Sequence, residues 1–481
     1  MRAPKRLIPL LFGAALLATS CTRVDPWKQS DEMVVAVLDD PVFYQPGTTA
    51  NEASGFDYDL VRAFAAELKV KLRLIPARSP AQIREMMAEG IVRFATSVAI
   101  QPTQDYRYTQ PLREARLLVL QHADELPLDE PKDLIGHTIE VSADGAAERA
   151  LRALPIGGSL SIKADRSANG VDLIGRVENH SADLVATDSA HLDIADNFYP
   201  DVTVAQELPG KVVYSWVFRP KDESLRARAD AFISQAKQDG LVARIKDRYF
   251  GHVHRINANG AAKFISDMRT RLPTFRALFE KAQAITGIDW RLLAALSYQE
   301  SKWDPLATSY TGVRGIMMLT EETADRMHVS NRLDPQEAII AGAKYLAELM
   351  DELPDDVKEP DRNWLALAAY NLGMGHLRGA RQFAVGMHRD PNSWYDMKKV
   401  LPLLARPEYY TRLKAGRARG GEAVILVENV RTFYDILTHF EPAEHQPLTT
   451  GLIHALSGSR VSGPSMRSPS ATGITKLPSA R

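Results

Sequence analysis

At 481 residues the chain is too long for one ordinary hydrophobic core, and its 45% hydrophobic and 25% charged composition is that of folded globular protein in two or three domains. Lys and Arg total 59 against 60 Asp and Glu, a net charge of -1, so the basic excess of a nucleic-acid binder is absent and no nucleic-acid partner is expected. One cysteine, Cys21, excludes an intrachain disulfide and any cysteine-built metal site.

In chain order, residues 1–20 read as an export leader: Arg2, Lys5 and Arg6 precede an apolar run at 7–18 that is too short to span a bilayer. The run ends in Leu17-Ala18-Thr19-Ser20-Cys21, which resembles a bacterial lipobox, with Ala18 where leucine is usual. Acylation of Cys21 would anchor the chain stably, with 21–30 as a tether. Thr22 replaces the aspartate that commonly retains lipoproteins in the inner membrane, which favours outer-membrane lipid and the periplasmic face. The bland alternative is a plain secretory leader with an incidental cysteine.

Residues 33–38 read as a buried strand, 57–68 as an amphipathic helix, 71–75 as a strand and 80–89 as a helix. The alternation continues to about Phe250 and predicts an α/β domain over 31–251 with largely parallel sheet. Polar residues with scattered glycine at 252–263 read as a linker, so His252 and His254 are expected to be solvated. From 264 to 440 the pattern is mainly helical, and the Ser/Pro/Thr/Gly-rich tail over 441–481 lacks the apolar content to build a core.

Gly55-Phe56-Asp57-Tyr58-Asp59-Leu60, Ala182-Asp183-Leu184-Val185-Ala186-Thr187-Asp188-Ser189 and Arg248-Tyr249-Phe250-Gly251 resemble the family 3 solute-binding proteins of the bacterial periplasm. The resemblance implies two lobes about a cleft, with crossing strands near 115–121 and 212–219. It makes Asp188 the candidate partner for a ligand amine. Gln104 stands where amino-acid binders carry a carboxylate-clamping arginine, and Asp144-Gly145-Ala146 replaces a hydroxyl-bearing turn. Free amino acids are therefore poor candidates. A muropeptide or other peptide ligand and a scaffold without a ligand remain open.

In the helical half, Asp289 is placed to cap a helix over 290–300. Glu300 then shares a face with Leu296 and Leu293, and with Trp303 if the helix continues. A glutamate on such a face is costly to ionise, and a raised pKa suits a general acid. Read alone, a glutamate at a helix end is more often structural.

Tyr298-Gln299-Glu300-Ser301, the loop Thr311-Gly312-Val313-Arg314-Gly315-Ile316-Met317-Met318-Leu319-Thr320 and the run Ala369-Tyr370-Asn371 together resemble the lytic transglycosylases with a soluble-type, lysozyme-like domain. With Asp289-Trp290-Arg291-Leu292-Leu293, Glu359-Pro360-Asp361-Arg362 and Ala418-Arg419-Gly420-Gly421-Glu422, the finer resemblance is to the membrane-bound lytic murein transglycosylase F family. It implies a bilobed α/β binding-protein-like domain joined to a mainly α lysozyme-like domain, acting on peptidoglycan glycan strands.

Carried over by position, Glu300 is the catalytic acid/base, and Ser301, Met317, Tyr370 and Asn371 line the groove or position the sugar. Core packing is the alternative for Met317 and Tyr370. The family often has Tyr-Val where this chain has Leu426-Val427, so a hydroxyl beside Glu300 is missing or comes from Tyr370 or Tyr434. The implied reaction closes a 1,6-anhydromuramyl ring and needs one carboxylate. Hydrolysis with a second one among Asp304, Glu321 and Glu322 is the runner-up, and a non-catalytic wall-binding protein is the rival from another class. No cofactor and no metal site is expected: Gly373-Met374-Gly375 follows a helix and makes a poor phosphate loop.

Overall fold

The computed structural model of the protein describes residues 31–45, 53–99 and 105–442. The leader, Cys21, the tether, Gln104 and the tail from 443 lie outside the described residues.

The first half builds on strands β1 (Glu32–Leu38), β2 (Lys71–Ala77), β3 (Phe94–Ala99), β4 (Arg107–Tyr108), β5 (Arg113–His122), β6 (Thr138–Ser142), β7 (Ser161–Asp165), β8 (Leu184–Asp188) and β9 (Val202–Phe218). Helices α1 (Phe56–Leu68), α2 (Pro80–Glu89), α3 (Ala146–Ala153), α4 (Gly170–Glu178), α5 (Ser189–Ala195), α6 (Glu223–Gln238) and α7 (Leu241–Phe250) alternate with them. The order is β2-β1-β3-β9-β5-β8-β6-β7, with β4 on β9. β1 pairs parallel with β2 and β3, and β6 parallel with β7 and β8. Each lobe thus has a parallel sheet; its central strand is an apolar run in the first lobe (β1), while in the second lobe (β6) the buried Glu140 interrupts the apolar residues and is paired with Lys163 and Arg176.

The lobes are joined by two long strands. β9 runs antiparallel to β3 at its C-terminal end and to β5 over the rest of its length, and β5 pairs with β8 of the second lobe. These are the crossing strands expected from the sequence. The first lobe closes over Phe64, Phe94, Trp216, Phe218 and Phe232, all buried.

The second half is helical: α8 (Ala258–Thr270), α9 (Leu272–Thr286), α10 (Trp290–Ser301), α11 (Glu321–Arg326), α12 (Pro335–Asp351), α13 (Asp361–Leu372), α14 (Met374–Gly386), α15 (Trp394–Val400), α16 (Pro407–Tyr410) and α17 (Gly420–Phe440). α10 and α13 are its axis; residues 292–298 and 364–369 are buried without a break, the mark of helices enclosed by others.

The connection between the halves differs from the sequence reading. His252 is only 3% exposed and its Nε2 meets Asp435 Oδ2 at 2.5 Å, so it belongs to the α17 interface instead of a solvated linker. His254 is exposed, and α8 already begins at Ala258. Further ties reach both lobes. Arg248 on α7 donates to Asp59 on α1 (3.0 Å) and Asp361 on α13 (2.9 Å). Arg431 on α17 donates to the carbonyls of Asp247 and Arg248, and Tyr199 meets His439 at 3.0 Å.

Candidate active site

α10 starts where the Asp289 carboxylate accepts from the Arg291 backbone N–H at 2.8 Å. It stops at Ser301, where Lys302 and Trp303 take left-handed backbone angles, φ 55° and 57°. Leu293 and Leu296 are fully buried, so Glu300, in the last turn, rises half-buried from an apolar face. Among the described residues no hydrogen-bond donor meets its carboxylate. Burial pushes its pKa up to about 7, with the Lys302 ammonium pulling the other way. The helix C-terminus adds a partial negative charge that also disfavours the anion.

Trp303 does not extend this face as the helical count had it. The helix ends two residues earlier, and the indole folds back to donate to the Ala294 carbonyl at 2.9 Å, packed on Phe264 and Tyr298.

The loop after α10 is drawn tight by the Gly315 N–H to Ala307 carbonyl bond (2.9 Å) and by bridges pairing Arg314 with Thr308 and Leu319. Gly315 has φ 80°, and a Cβ there would lie 1.8 Å from the Arg332 carbonyl oxygen, so no other residue fits this turn. Two consecutive carbonyls of the loop are then clamped by hydroxyls. Ser297 and Ser301 on α10 donate to Ile316 O at 3.0 and 2.8 Å, and Tyr370 on α13 donates to Met317 O at 2.9 Å.

Ser301 therefore holds the loop; its hydroxyl is turned inward to backbone. Met317 is fully buried over Gly342, so its side chain is core packing and its carbonyl is the part that takes a bond. Tyr370 is brought beside Glu300: burial and the Glu300 charge raise the pKa of its phenol far above the ordinary value. Asn371 is exposed next to it at the end of α13. Tyr434 is excluded as the orienting hydroxyl. It donates to Asp289 at 2.9 Å, at the far end of α10, roughly 16 Å of helix rise from Glu300. Leu426 is buried in α17. Ser297 and Arg332, which donates to the Gly312 and Leu319 carbonyls, were not read from the sequence; the one available signal was the i, i+4 spacing of Ser297 and Ser301.

The family model for the transglycosylase SLT domain matches residues 277–386, and that for bacterial extracellular solute-binding proteins, family 3, matches 33–252. A membrane-bound lytic murein transglycosylase F of Nitrosospira multiformis is 39% identical over 461 residues, covering 92% of this chain and 94% of that one. A protein of the same name from Ectopseudomonas mendocina is 36% identical, covering 89% and 90%. The chain belongs to the membrane-bound lytic murein transglycosylase F family. It is a peptidoglycan lytic transglycosylase with a periplasmic-binding-protein-like α/β domain ahead of a helical, lysozyme-like one. Among solved structures, Tv2483 bound to L-arginine is similar at 21% identity and a TM-score of 0.43, covering 47% of this chain and 92% of that one. Among the described residues no helix is long and apolar enough to cross a membrane.

In the binding-protein half of this family member, the lobes enclose a cavity of about 90 Å³ lined by Arg78, Ser142, Asp144, Asn169, Asp188 and Tyr214, among others. Asp188 is not poised for a ligand amine. Its carboxylate already accepts from the Ala190 N–H (2.8 Å), His191 Nδ1 (2.9 Å) and the Tyr214 hydroxyl (2.5 Å). His191 bridges on to Asp40 at 3.0 Å. Burial disfavours the His191 cation, but the two carboxylates outweigh it and push its pKa up to about 10. Arg84 on α2 reaches across the cleft to Asp144 at 2.7 Å and latches the lobes.

Proposed function

We propose that the enzyme breaks the β-1,4 bond between N-acetylmuramic acid and N-acetylglucosamine without water. Protonated Glu300 gives its proton to the bridging oxygen as the C1–O bond breaks. The substrate's own N-acetyl group shields the positive charge that develops at C1. Glu300, now ionised, takes the proton of the muramyl 6-hydroxyl, whose oxygen bonds to C1 and closes a 1,6-anhydro ring. The internal hydroxyl acts at a high effective concentration that water cannot match.

One observation carries this reading: Glu300 is a half-buried carboxylate that meets no hydrogen-bond donor among the described residues, and burial pushes its pKa up to about 7. Hydrolytic glycosidases use two carboxylates flanking the bond. Of the candidates for a second, Asp304 is exposed and accepts from the Leu306 N–H in its own turn, and Glu321 and Glu322 are exposed in the first turn of α11. Tyr370 and the clamped loop serve to position the sugar, with Asn371 at the groove edge. Mass spectrometry of products from purified peptidoglycan tests the reading, using the chain from Thr22 onward and its Glu300→Gln variant. Anhydromuramyl ends from the native chain alone are expected; reducing ends that have gained water would establish a hydrolase instead.

We also infer that the N-terminal cleft takes a peptide-like, wall-derived ligand that alters turnover, and that acylated Cys21 holds the chain to the outer membrane. The cavity is small while Arg84 and Asp144 are joined, so entry of a muropeptide requires that latch to open. The Arg248 link joins α1 of the first lobe to the start of α13, whose last turn carries Tyr370, so a movement of that lobe would be felt at the helix bearing Tyr370. Muropeptides that neither bind the chain nor change its rate would sink the ligand reading. A mature protein without acyl mass on Cys21 would sink the anchor.

A further inference from the structure

On the second lobe, away from both the groove and the cleft, β5 ends in His122, the turn after it carries Asp124, and the turn that closes α4 carries His180. Donor atoms of the three side chains all lie within 4.8 Å of one another. The imidazoles face each other with centroids 4.0 Å apart and planes 35° apart, and His122 Nδ1 is in contact with Asp124 Oδ1. We propose that His122, Asp124 and His180 bind one divalent transition-metal ion of the zinc, nickel and copper class.

Two imidazoles and a carboxylate are the donor set that such borderline ions prefer over magnesium or calcium, which seek oxygen alone. The backbone fixes all three positions. His122 is paired with Val202 in the β5–β9 ladder, and its carbonyl accepts from the Glu125 N–H at 3.2 Å, which shapes the turn bearing Asp124. His180 has φ 57°, a left-handed conformation that non-glycine residues seldom adopt. A tetrahedral ion with bonds of roughly 2.0–2.1 Å holds its donors about 3.3 Å apart, which side-chain rotation within the present spread achieves.

The His122 side chain is only 13% exposed while Asp124 is open, so three protein donors would leave a coordination position for water. Of the nearby charges, the Glu178 carboxylate lies within electrostatic reach of His122, with Asp201 and the opposing Arg269 cation around it. Bound there, the ion would tie the end of β5 to the end of α4. Glu178 and Asn179 border the crevice where the second lobe meets Arg269 and Phe440 of the helical half, so the tie would brace that seam.

The test uses the tag-free chain from Thr22, stripped with chelator, then titrated with Zn²⁺ by calorimetry and Co²⁺ by visible absorption. One equivalent of Zn²⁺ and an intense tetrahedral-type Co²⁺ spectrum are expected, with a higher Tm in zinc. His122→Ala and His180→Ala should each raise Kd at least about tenfold and abolish the Tm gain. His254→Ala, at an exposed histidine outside the cluster, should change neither. Native turnover of peptidoglycan by both variants in metal-free buffer shows that they fold. The proposal is overturned if the native chain gives no saturable binding or no such Co²⁺ spectrum, whatever the variants do. It is equally overturned if either histidine variant binds as tightly as the native chain.

Discussion

Asp188 and Glu300 are both carboxylates withdrawn from water at the end of a helix, one in each half of the molecule, yet they are in opposite states. Asp188 caps the N-terminus of α5, where the helix field favours an anion, and accepts from the Ala190 N–H, His191 and Tyr214. Burial would raise its pKa, but the His191 charge and these hydrogen bonds hold it below the ordinary value. Glu300 stands in the last turn of α10, where the helix field opposes an anion, and burial pushes its pKa up to about 7 against one opposing ammonium. Burial alone decides nothing about a carboxylate. What matters is whether donors offset the loss of water: where they do the group is structure, and where they do not it is a poised acid.

The largest effect that can break this contrast is on turnover by Glu300→Gln. A general acid contributes roughly 10²–10⁴-fold, so a loss of about 10³-fold is expected in anhydromuramyl release. In the native enzyme, kcat/KM should fall tenfold for each pH unit above about 7, where Glu300 loses its proton. The same group predicts a stability change of definite sign. Its folded pKa of about 7 exceeds the ordinary 4.5, so the native state holds the proton more tightly and stability falls as pH rises between these values. Glu300→Gln should therefore gain up to about 3 kcal/mol over the native chain above pH 7, and nothing below about pH 4.5. Chemical denaturation at the two pH values checks this; a variant less stable at high pH would mean that Glu300 has donors after all.

Next in size is Gly315→Ala. With φ 80° and a Cβ 1.8 Å from Arg332 O, the loop cannot keep its path, and turnover should drop at least about tenfold. Tyr370→Phe removes the bond to Met317 O and leaves that carbonyl short of a donor, for about 1 kcal/mol of stability and a severalfold loss of turnover. If Tyr370→Phe were as damaging as Glu300→Gln, the hydroxyl would be acting on the reacting atoms and not through the loop.

These residues mark what could be read in advance. The bounds of α10 and the burial of Glu300 follow from local signals, the Asp289 cap and the apolar residues at i−4 and i−7. Strand–helix alternation gives the α/β class of the first half; the two lobes and their crossing strands come only from the resemblance to the family 3 solute-binding proteins. What escaped depends on partners remote in sequence. His252 reads as linker because Asp435, which receives it, is 183 residues away. Asp188 reads as a ligand partner because Tyr214, His191 and, beyond it, Asp40 meet it only once the lobes form. The choice between Tyr370 and Tyr434 turns on how α13 and α17 cross α10, which periodicity along one helix cannot report. Trp303 failed for a local reason: two left-handed residues after Ser301 reverse the chain, and nothing in Lys302-Trp303 announces it.

The smallest effect on turnover, and the sharpest on the contrast, is expected of Asp188→Asn. Removing one partner of a buried, hydrogen-bonded charge pair costs about 3 kcal/mol, so the Tm should fall while turnover at 25 °C stays within about twofold. The pH dependence separates this from a generic loss of packing. Asp188, with its lowered folded pKa, contributes stability above its unfolded value of 3.8, and that contribution is lost as pH falls through the folded one. His191 contributes stability below its unfolded 6.5, and that contribution is lost as pH rises towards about 10. The gap between native chain and variant should thus be widest between about pH 4 and 6.5, where both partners are charged in either state, and should narrow on both sides. A flat gap would mean that the Asp188 network is held by shape alone. A collapse of turnover without loss of stability would mean that Asp188, not only Glu300, is a working group.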